Sequence, residues 1–298
     1  MVKLKPTNDY IFKRIFGKKG NEKITKDFIE TMTGYTFENV VIEDTQILEK
    51  DIITDKLGIL DVKVSANNVN NIDIEMQVVR QDNIVERILW YWSKLYSSTL
   101  KSGQDYDLLK RTICILIADF EIDKLKCLEE FYTRWRITNT KHSGVELTDK
   151  LDIVIIELSK MDKKESYTIE EEKVLNWCNF LRSPEKMEEA TMEENENIKA
   201  AKEELDKINM DKRERELAEL REKAIRDEIA IRKSGYREGL EEGIKEGMKE
   251  GIEKGINKGS KNEKINIAKN LLKEKINIEL ISKATGLSIE EIEELIEK

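Results

Sequence analysis

The hydrophobic and polar positions of the first 182 residues alternate between helical and strand-like spacing. Apolar residues three and four positions apart predict two short helices before Gly34, and two more near 83–100 and 170–181. Alternating or continuously apolar runs predict strands at 40–44, 58–64, 71–79, 112–120 and 145–158. This order of elements predicts an α/β domain with a small mixed sheet flanked by helices.

The pattern changes at Ser183-Pro184, where a long stretch rich in Glu, Lys, Arg and Ala predicts helix. Glycines then recur at every fourth position from Gly235 to Gly259. From Gly239 each glycine is followed by an apolar or small residue and mostly by charged or polar ones. We therefore predict three regions: a domain at 1–182, a charged helical region ending in the glycine repeat at 183–260, and a small helical tail at 261–298.

The net charge and the small numbers of cysteine and histidine exclude several classes of function. The chain has 52 Lys and Arg against 61 Asp and Glu, a net charge of −9, which excludes a general electrostatic attraction to nucleic acid but not a local basic groove. Three scattered cysteines and one histidine argue against a disulfide framework, a zinc ribbon or a histidine-based site. The start of the chain has no apolar signal segment, and no apolar run is long enough to span a membrane. These features predict a cytoplasmic protein with no membrane partner.

The strands at 58–64 and 71–79 flank an asparagine-rich turn and predict a hairpin. A symmetric hairpin places Asp61 opposite Glu75 and Lys63 opposite Asp73. Opposed carboxylates about 4.5–5.5 Å apart repel one another unless a cation lies between them. Carboxylates, carbonyls and water are the ligands that Mg²⁺ prefers. The alternative is a solvated polar face with an ordinary cross-strand ion pair.

The same segment resembles a known nuclease core. L-D-V-K-V, fourteen residues from Asp61 to Glu75, and then E-M-Q resemble the PD-(D/E)XK nuclease superfamily. NDYIFKRIFG near the start, GILDVKV, IDIEMQ, the R-x3-Y spacing from Arg87, the glycine repeat and the tail resemble the Rpn family of recombination-promoting nucleases. That family is also labelled PD-(D/E)XK nuclease family transposases. The resemblance spans nearly the whole chain.

The resemblance implies a restriction-endonuclease-like core and a Mg²⁺-dependent DNA endonuclease that promotes recombination, with Mn²⁺ as an alternative ion. Asp61 and Glu75 would ligate the metal, helped by the carbonyl of Met76. Gln77 stands where the superfamily usually has Lys, and Gln cannot supply a positive charge. Lys63, on the same strand face as Asp61, is the first candidate to replace it.

Residues on two helices are the remaining candidates. Asp9 and Lys13 match the family's D-x-x-F-K signature, so that Asp9 would approach the metal; the alternative is an i,i+4 surface ion pair. Residues 1–26 carry eight basic side chains against two acidic ones, and Lys13 and Arg14 could contact phosphate there. Arg87 shares a helix face with Lys94 and is also expected to contact DNA; the alternative is packing against the sheet.

The glycine repeat of the charged helical region at 183–260 predicts association between chains. Seven glycines in a helix cost roughly 6–7 kcal/mol relative to alanine, and glycine lets two helix backbones approach closely. We therefore interpret the repeat as a right-coiling contact with a second helix in a homo-oligomer. The alternative is a flexible linker.

The tail has the spacing of a helix-turn-helix around Gly286, with a capping box at Ser288 and Glu291. Five glutamates on the second helix would be repelled by phosphate, which favours a protein–protein or autoregulatory module. The competing interpretation of the whole chain is a non-catalytic interaction protein with a vestigial nuclease core and an oligomerising tail.

Overall fold

The computed structural model describes residues 4–43, 62–67, 70–163 and 166–296, and structural statements refer to these residues. The chain divides into two compact units, Met1–Ile229 and Ala230–Lys298, and each is described by itself. The first unit extends beyond the predicted boundary at residue 182. The physical reason is that apolar residues of the charged region are buried in the core of the first unit.

A mixed sheet organises the first unit. Its strands within the described ranges are β1 (Val40–Ile42), β2 (Val62–Ala66), β3 (Asn70–Gln77), β4 (Arg111–Ala118), β5 (Tyr132–Trp135) and β6 (Leu151–Glu157). Their order is β1-β2-β3-β4-β6-β5. The β3–β4 and β4–β6 pairs are parallel and the other three are antiparallel. The predicted α/β class with a small mixed sheet is confirmed, although β5 lies outside the predicted strands.

The α-helices are α1 (Asp9–Phe16), α2 (Glu22–Thr33), α3 (Ile84–Ser98), α4 (Ile169–Arg182), α5 (Glu189–Glu194), α6 (Glu196–Met210), α7 (Lys212–Lys273), α8 (Ile278–Thr285) and α9 (Ile289–Glu293). Single 3₁₀ turns cover Tyr106–Leu108, Asp123–Leu125, Leu158–Lys160 and Pro184–Lys186. Asn8 caps α1 through its side chain, which accepts a hydrogen bond from the amide of Ile11. Asn83 precedes α3, but its side chain makes no capping bond.

One face of the sheet is covered by α1, α2, α4 and α6. Phe12, Phe16, Phe28 and Trp177 form an aromatic cluster at its centre. Buried residues of α6 and of the start of α7 complete this core: Ile198, Ala201, Leu205, Ile208 and Ala218. The segment from residue 198 to residue 218 therefore belongs to the core of this unit.

The opposite face of the sheet is covered by α3, where Ile84 and Ile88 pack on residues of β4 and β6. Strand alternation divides β3 between the two cores. Ile72, Ile74 and Met76 point into the first core, so that Asp73, Glu75 and Gln77 point toward α3. Both faces of β3 are buried, and the predicted polar face is thus an interior face.

The second unit contains the glycine repeat and the tail. The repeat lies within α7, and a Cβ atom added at any glycine from Gly235 to Gly259 would have no neighbour within 4 Å. The end of α7, α8 and α9 share a small core of Ala268, Ile281, Leu287 and Ile292. Gly286 ends α8 in the left-handed conformation, with φ 70°. No helix in the described part of the chain is both long and apolar enough to cross a membrane.

Candidate functional site

The hairpin of β2 and β3 has the predicted register. Val62 pairs with Ile74, Lys63 with Asp73 and Val64 with Ile72. Lys63 is exposed, directly opposite the carboxylate of Asp73. Asp61, the expected partner of Glu75, lies outside the described residues. Alternation and turn symmetry thus predicted the pairing of the described part of this hairpin.

Asp73 and Glu75 are buried, with exposed fractions of 5 % and 2 %. The alternative of a solvated polar face is therefore wrong for these two residues, because both side chains are buried. Burial raises the pKa of Asp73 to about 7, and the negative charge of Glu75 adds to this shift, while Lys63 and Lys13 oppose it. Oδ1 of Asp73 is buried and has no hydrogen-bond partner among the described residues.

A ring of polar side chains holds Glu75. Its Oε1 accepts a hydrogen bond from Nε2 of Gln77 at 2.7 Å and lies 2.7 Å from a guanidinium nitrogen of Arg87. Arg87 also donates to Oε1 of Gln81 at 2.9 Å, and the Gln81 amide lies 3.5 Å from the Gln77 oxygen. The guanidinium of Arg87, on α3, therefore brings a positive charge to the carboxylate that Gln77 can only orient.

Arg87 was expected to contact DNA, and the structure instead places its guanidinium against Glu75. Lys94, two turns along α3, is exposed and lies over the ring of Trp90 at 5.2 Å. The side chain of Met76 is buried in the first core, so only its backbone is available to an ion. Asp73 and Gln81 were not among the candidates, and the signal that could have found Asp73 is its shared strand face with Glu75.

Asp9 lies at the start of α1 and is buried against α7. Both of its carboxylate oxygens accept hydrogen bonds from Nε of Arg221 at 2.9 Å, and its Oδ1 also accepts from the amide of Tyr10 at 2.8 Å. The alternative of an exposed surface ion pair is wrong, since the carboxylate is buried. Sequence reasoning could not have found Arg221 as its partner, because 212 positions separate the two residues.

The two basic candidates of α1 are also engaged within the fold. Lys13 is 4 % exposed, and its positive charge partly opposes the rise in the pKa of Asp73. Arg14 donates hydrogen bonds to Glu214 at 2.6 and 2.9 Å. The expectation that this helix presents both side chains to phosphate is corrected, because the start of α7 packs over this part of α1.

The donor set of the hairpin fits a hard divalent cation. Carboxylate oxygens are the ligands of Mg²⁺ and Mn²⁺, and a buried carboxylate oxygen with no donor is costly unless a cation or proton satisfies it. Within the described ranges, no three acidic, histidine or cysteine side chains come close enough to hold a metal ion. A complete ligand set would therefore need a further residue, and Asp61 precedes β2 directly in the chain.

Comparison with protein families gives two matches. Residues 6–234 match the family described as PD-(D/E)XK nuclease family transposase. Residues 261–296 match the family described as Rpn/YhgA-like nuclease family, C-terminal HTH domain. No curated protein and no solved structure matches the chain.

The second match corrects the preference for a protein–protein module in the tail. The structure contains the two helices, α8 and α9, with the Gly286 turn between them, and the capping box of Ser288 and Glu291 is formed. The acidic character of α9 is partly balanced within the tail, because Glu291 lies 3.0 Å from Nζ of Lys261. A helix-turn-helix domain favours DNA as a partner.

Proposed function

Because the chain belongs to the PD-(D/E)XK nuclease family transposases, we propose that it is a metal-dependent endonuclease that hydrolyses phosphodiester bonds of DNA and promotes recombination. The family match confirms the resemblance that the motifs indicated. The observation that carries the proposal is the register of β2 and β3. The hairpin predicted from the sequence has this same register, and it is this prediction that pairs Asp61 with Glu75.

Asp61, Glu75 and the carbonyl of Met76 are the proposed ligands of Mg²⁺, with Mn²⁺ as the alternative ion. When bound, such a cation neutralises developing charge on a phosphate and makes water a stronger nucleophile at neutral pH. Carboxylate and carbonyl ligands suit hard cations, and the chemistry needs no histidine.

In this proposal, several residues together take the role of the lysine that the superfamily usually has at position 77. Gln77 orients Glu75 through the hydrogen bond to Oε1, and Arg87 supplies the positive charge beside it. Lys63 is exposed on the neighbouring strand, and its proposed role is to contact a phosphate of the substrate. Asp9, held by Arg221, positions α1 against α7.

DNA contact is proposed at two places. Lys94 is an exposed cation on the helix that covers the site, and an exposed lysine near a phosphate contributes mainly salt-dependent affinity. The helix-turn-helix tail is the second place. Its acidic α9 makes α8 and the lysines before it the more favourable surface for phosphate.

The nuclease proposal is tested by nicking of a supercoiled plasmid with Mg²⁺, with Mn²⁺ and with EDTA. We expect Asp61→Asn and Glu75→Gln each to lower the cleavage rate by at least about 100-fold, as expected when a group that stabilises transition-state charge is lost. Glu86→Gln is the matched control, because Glu86 is an exposed carboxylate on α3 that pairs with Lys124. Wild-type rates in either site variant would refute the assignment.

The competing function is a DNA-binding protein with a vestigial nuclease core, which the glutamine at position 77 favours. Titration with Mn²⁺ separates the two, since a vestigial core has no reason to bind the ion at the hairpin. Metal-independent DNA binding without any cleavage, together with no Mn²⁺ binding, would support this second function.

We also propose that α7 associates with a second copy of the chain. The apolar residue after each glycine from Gly239 to Gly255 is more than half exposed within the described second unit, namely Leu240, Ile244, Met248, Ile252 and Ile256. Each adjacent glycine leaves space where a Cβ atom would stand. A partner helix of the same sequence would fill this space and bury the apolar stripe.

The distribution of charge along the repeat favours an antiparallel arrangement of the two α7 helices. Glu241 and Glu242 stand at one end, Lys258 and Lys261 at the other, and the charges between them balance. Two antiparallel copies place opposite charges together at both ends, whereas parallel copies place like charges together.

Cysteine cross-linking in the full chain tests this arrangement, with the exposed Cys127 changed to Ser. A chain carrying both Glu241→Cys and Lys258→Cys should form covalent dimers with a short bifunctional maleimide. Each single variant is the matched control and should not. Dimers from the single variants would indicate parallel helices, and a monomeric mass by light scattering at micromolar concentration would refute association.

A further inference from the structure

Buried carboxylates of the first unit differ in how their oxygens are satisfied. Both oxygens of Asp9 accept hydrogen bonds from Arg221. Asp152 accepts from Arg134 on one oxygen at 2.8 Å and from Tyr35 on the other at 2.9 Å. Glu157 accepts from the amide of Ile122 and from Lys160, both at 2.7 Å. Full pairing is the usual state of a buried charge.

Asp73 departs from this pattern. It is as buried as the others, yet Oδ1 has no hydrogen-bond donor among the described residues. Lys63 stands directly opposite in the strand register, but its side chain is exposed and makes no hydrogen bond to this oxygen. The neighbouring carboxylate on the same strand face is Glu75, whose charge repels that of Asp73.

An unsatisfied buried carboxylate beside a second one is unfavourable unless something binds there. Because the fold pairs the oxygens of Asp9, Asp152 and Glu157, the unmet acceptor of Asp73 carries a cost that no hydrogen bond among the described residues offsets. A cation relieves both the unmet acceptor and the repulsion, and oxygen-only donors suit a hard divalent ion.

We propose that Asp73 is a third carboxylate of the divalent-cation site, acting together with Glu75. This rests on the proposed nuclease function and adds to it a ligand that the two-carboxylate motif does not include. Asp73 and Glu75 lie two residues apart and share one strand face. β3 therefore offers the cation two neighbouring carboxylates on one strand face.

The test measures Mn²⁺ binding to the full chain by electron paramagnetic resonance and by thermal unfolding with Mn²⁺ or with EDTA. We expect Asp73→Asn to weaken Mn²⁺ binding at least about tenfold, as loss of a metal-supporting group commonly does. In EDTA the same variant should melt at a higher temperature than wild type, because the repulsion with Glu75 is gone. The Mn²⁺-dependent rise in melting temperature should shrink or vanish.

Glu157→Gln is the matched control, a buried carboxylate whose oxygens are both paired. It should lower the melting temperature and leave the Mn²⁺ affinity of the folded protein unchanged. Asp73→Ser serves as a second variant, since it removes the carboxylate with a smaller side chain.

The outcomes separate this inference from the proposed function. If wild type binds no Mn²⁺, both are overturned. If wild type binds Mn²⁺ and Glu75→Gln does not, but Asp73→Asn binds with wild-type affinity, the third carboxylate alone is refuted. Lower melting temperatures in EDTA for both Asp73 variants would assign the residue a structural role and refute it as well.

Discussion

Two strands of one sheet carry buried acidic residues toward the same side, and their surroundings differ. On β6, Glu157 is followed by a 3₁₀ turn that returns Lys160 to it, and Nζ of Lys160 donates to Glu157, Leu125 and Leu128 at 2.7–2.9 Å. Both charged groups of this cluster, Glu157 and Lys160, are therefore fully hydrogen-bonded. On β3, Asp73 retains an oxygen with no donor among the described residues.

The difference shows that burial alone does not identify a functional carboxylate. The cluster of Glu157 and Lys160 connects β6 to the segment at 122–128 and contributes order to the fold. The cluster on β3 leaves acceptor capacity unused, and unused capacity in a buried place is where a ligand gains most. Removing a charge from the cluster of Glu157 and Lys160 should therefore lower stability. Removing the carboxylate of Asp73 should instead lower metal binding.

The largest effect is expected from a variant that disrupts the paired cluster of Glu157 and Lys160. Lys160→Met should lower the free energy of unfolding by about 3–5 kcal/mol, because it leaves Glu157 buried without its countercharge. Urea unfolding followed by circular dichroism measures this loss. Lys163→Ala removes an exposed lysine paired with Glu121 and is the matched control, expected to stay within about 0.5 kcal/mol. A loss below about 1 kcal/mol for Lys160→Met would contradict the comparison.

A second variant extends the comparison to Asp9, whose carboxylate is fully paired. Asp9→Ala should cost about 2–4 kcal/mol, because both Asp9 and Arg221 are largely buried. A double-mutant cycle with Arg221→Ala should give a coupling energy above about 1 kcal/mol. If Asp9 instead served the metal, Mn²⁺ affinity of the folded variant would fall while the coupling to Arg221 stayed near zero.

A smaller effect, on the cleavage rate, is expected for Arg87, the residue of α3 that contacts Glu75. Arg87→Gln should lower cleavage by about 10- to 100-fold, since positive charge beside a transferring phosphate stabilises the transition state. Arg87→Lys should recover part of this rate, because lysine restores the charge but not the two-pronged contact to Glu75 and Gln81. Equal rates for wild type and Arg87→Gln, measured on plasmid at saturating Mg²⁺, would remove Arg87 from the site.

The smallest expected effect lies on the exposed surface of α3. Lys94→Ala should change the free energy of unfolding by no more than about 0.5 kcal/mol. If Lys94 meets a phosphate, DNA affinity should fall modestly, and the slope of log affinity against log salt should decrease by about one. Fluorescence anisotropy of labelled DNA at several salt concentrations measures this, with Lys124→Ala as an exposed-lysine control. An unchanged slope would remove Lys94 from the DNA surface.

Much of the local architecture follows from the order of residues. Alternating polarity around an asparagine-rich turn determined the register of β2 and β3, because a shift by one residue would turn each apolar side chain away from the core. The capping box of Ser288 and Glu291 located the start of α9. The E-M-Q motif indicated Glu75 and Gln77 as candidates, and the structure joins these two side chains by a hydrogen bond. These features depend on neighbours in the chain, which pattern and spacing report directly.

Other features were decided by tertiary packing. Alternation showed that β3 has a polar side, but not that the fold would bury Asp73 and Glu75. The contact of Arg87 with Glu75, and that of Arg221 with Asp9, join residues from separate helices and strands. Helix α6 looked like part of a charged extension, and its apolar stripe became part of the core. A side chain's pKa, partners and burial are set by what the fold brings against it, and a linear pattern carries no record of that.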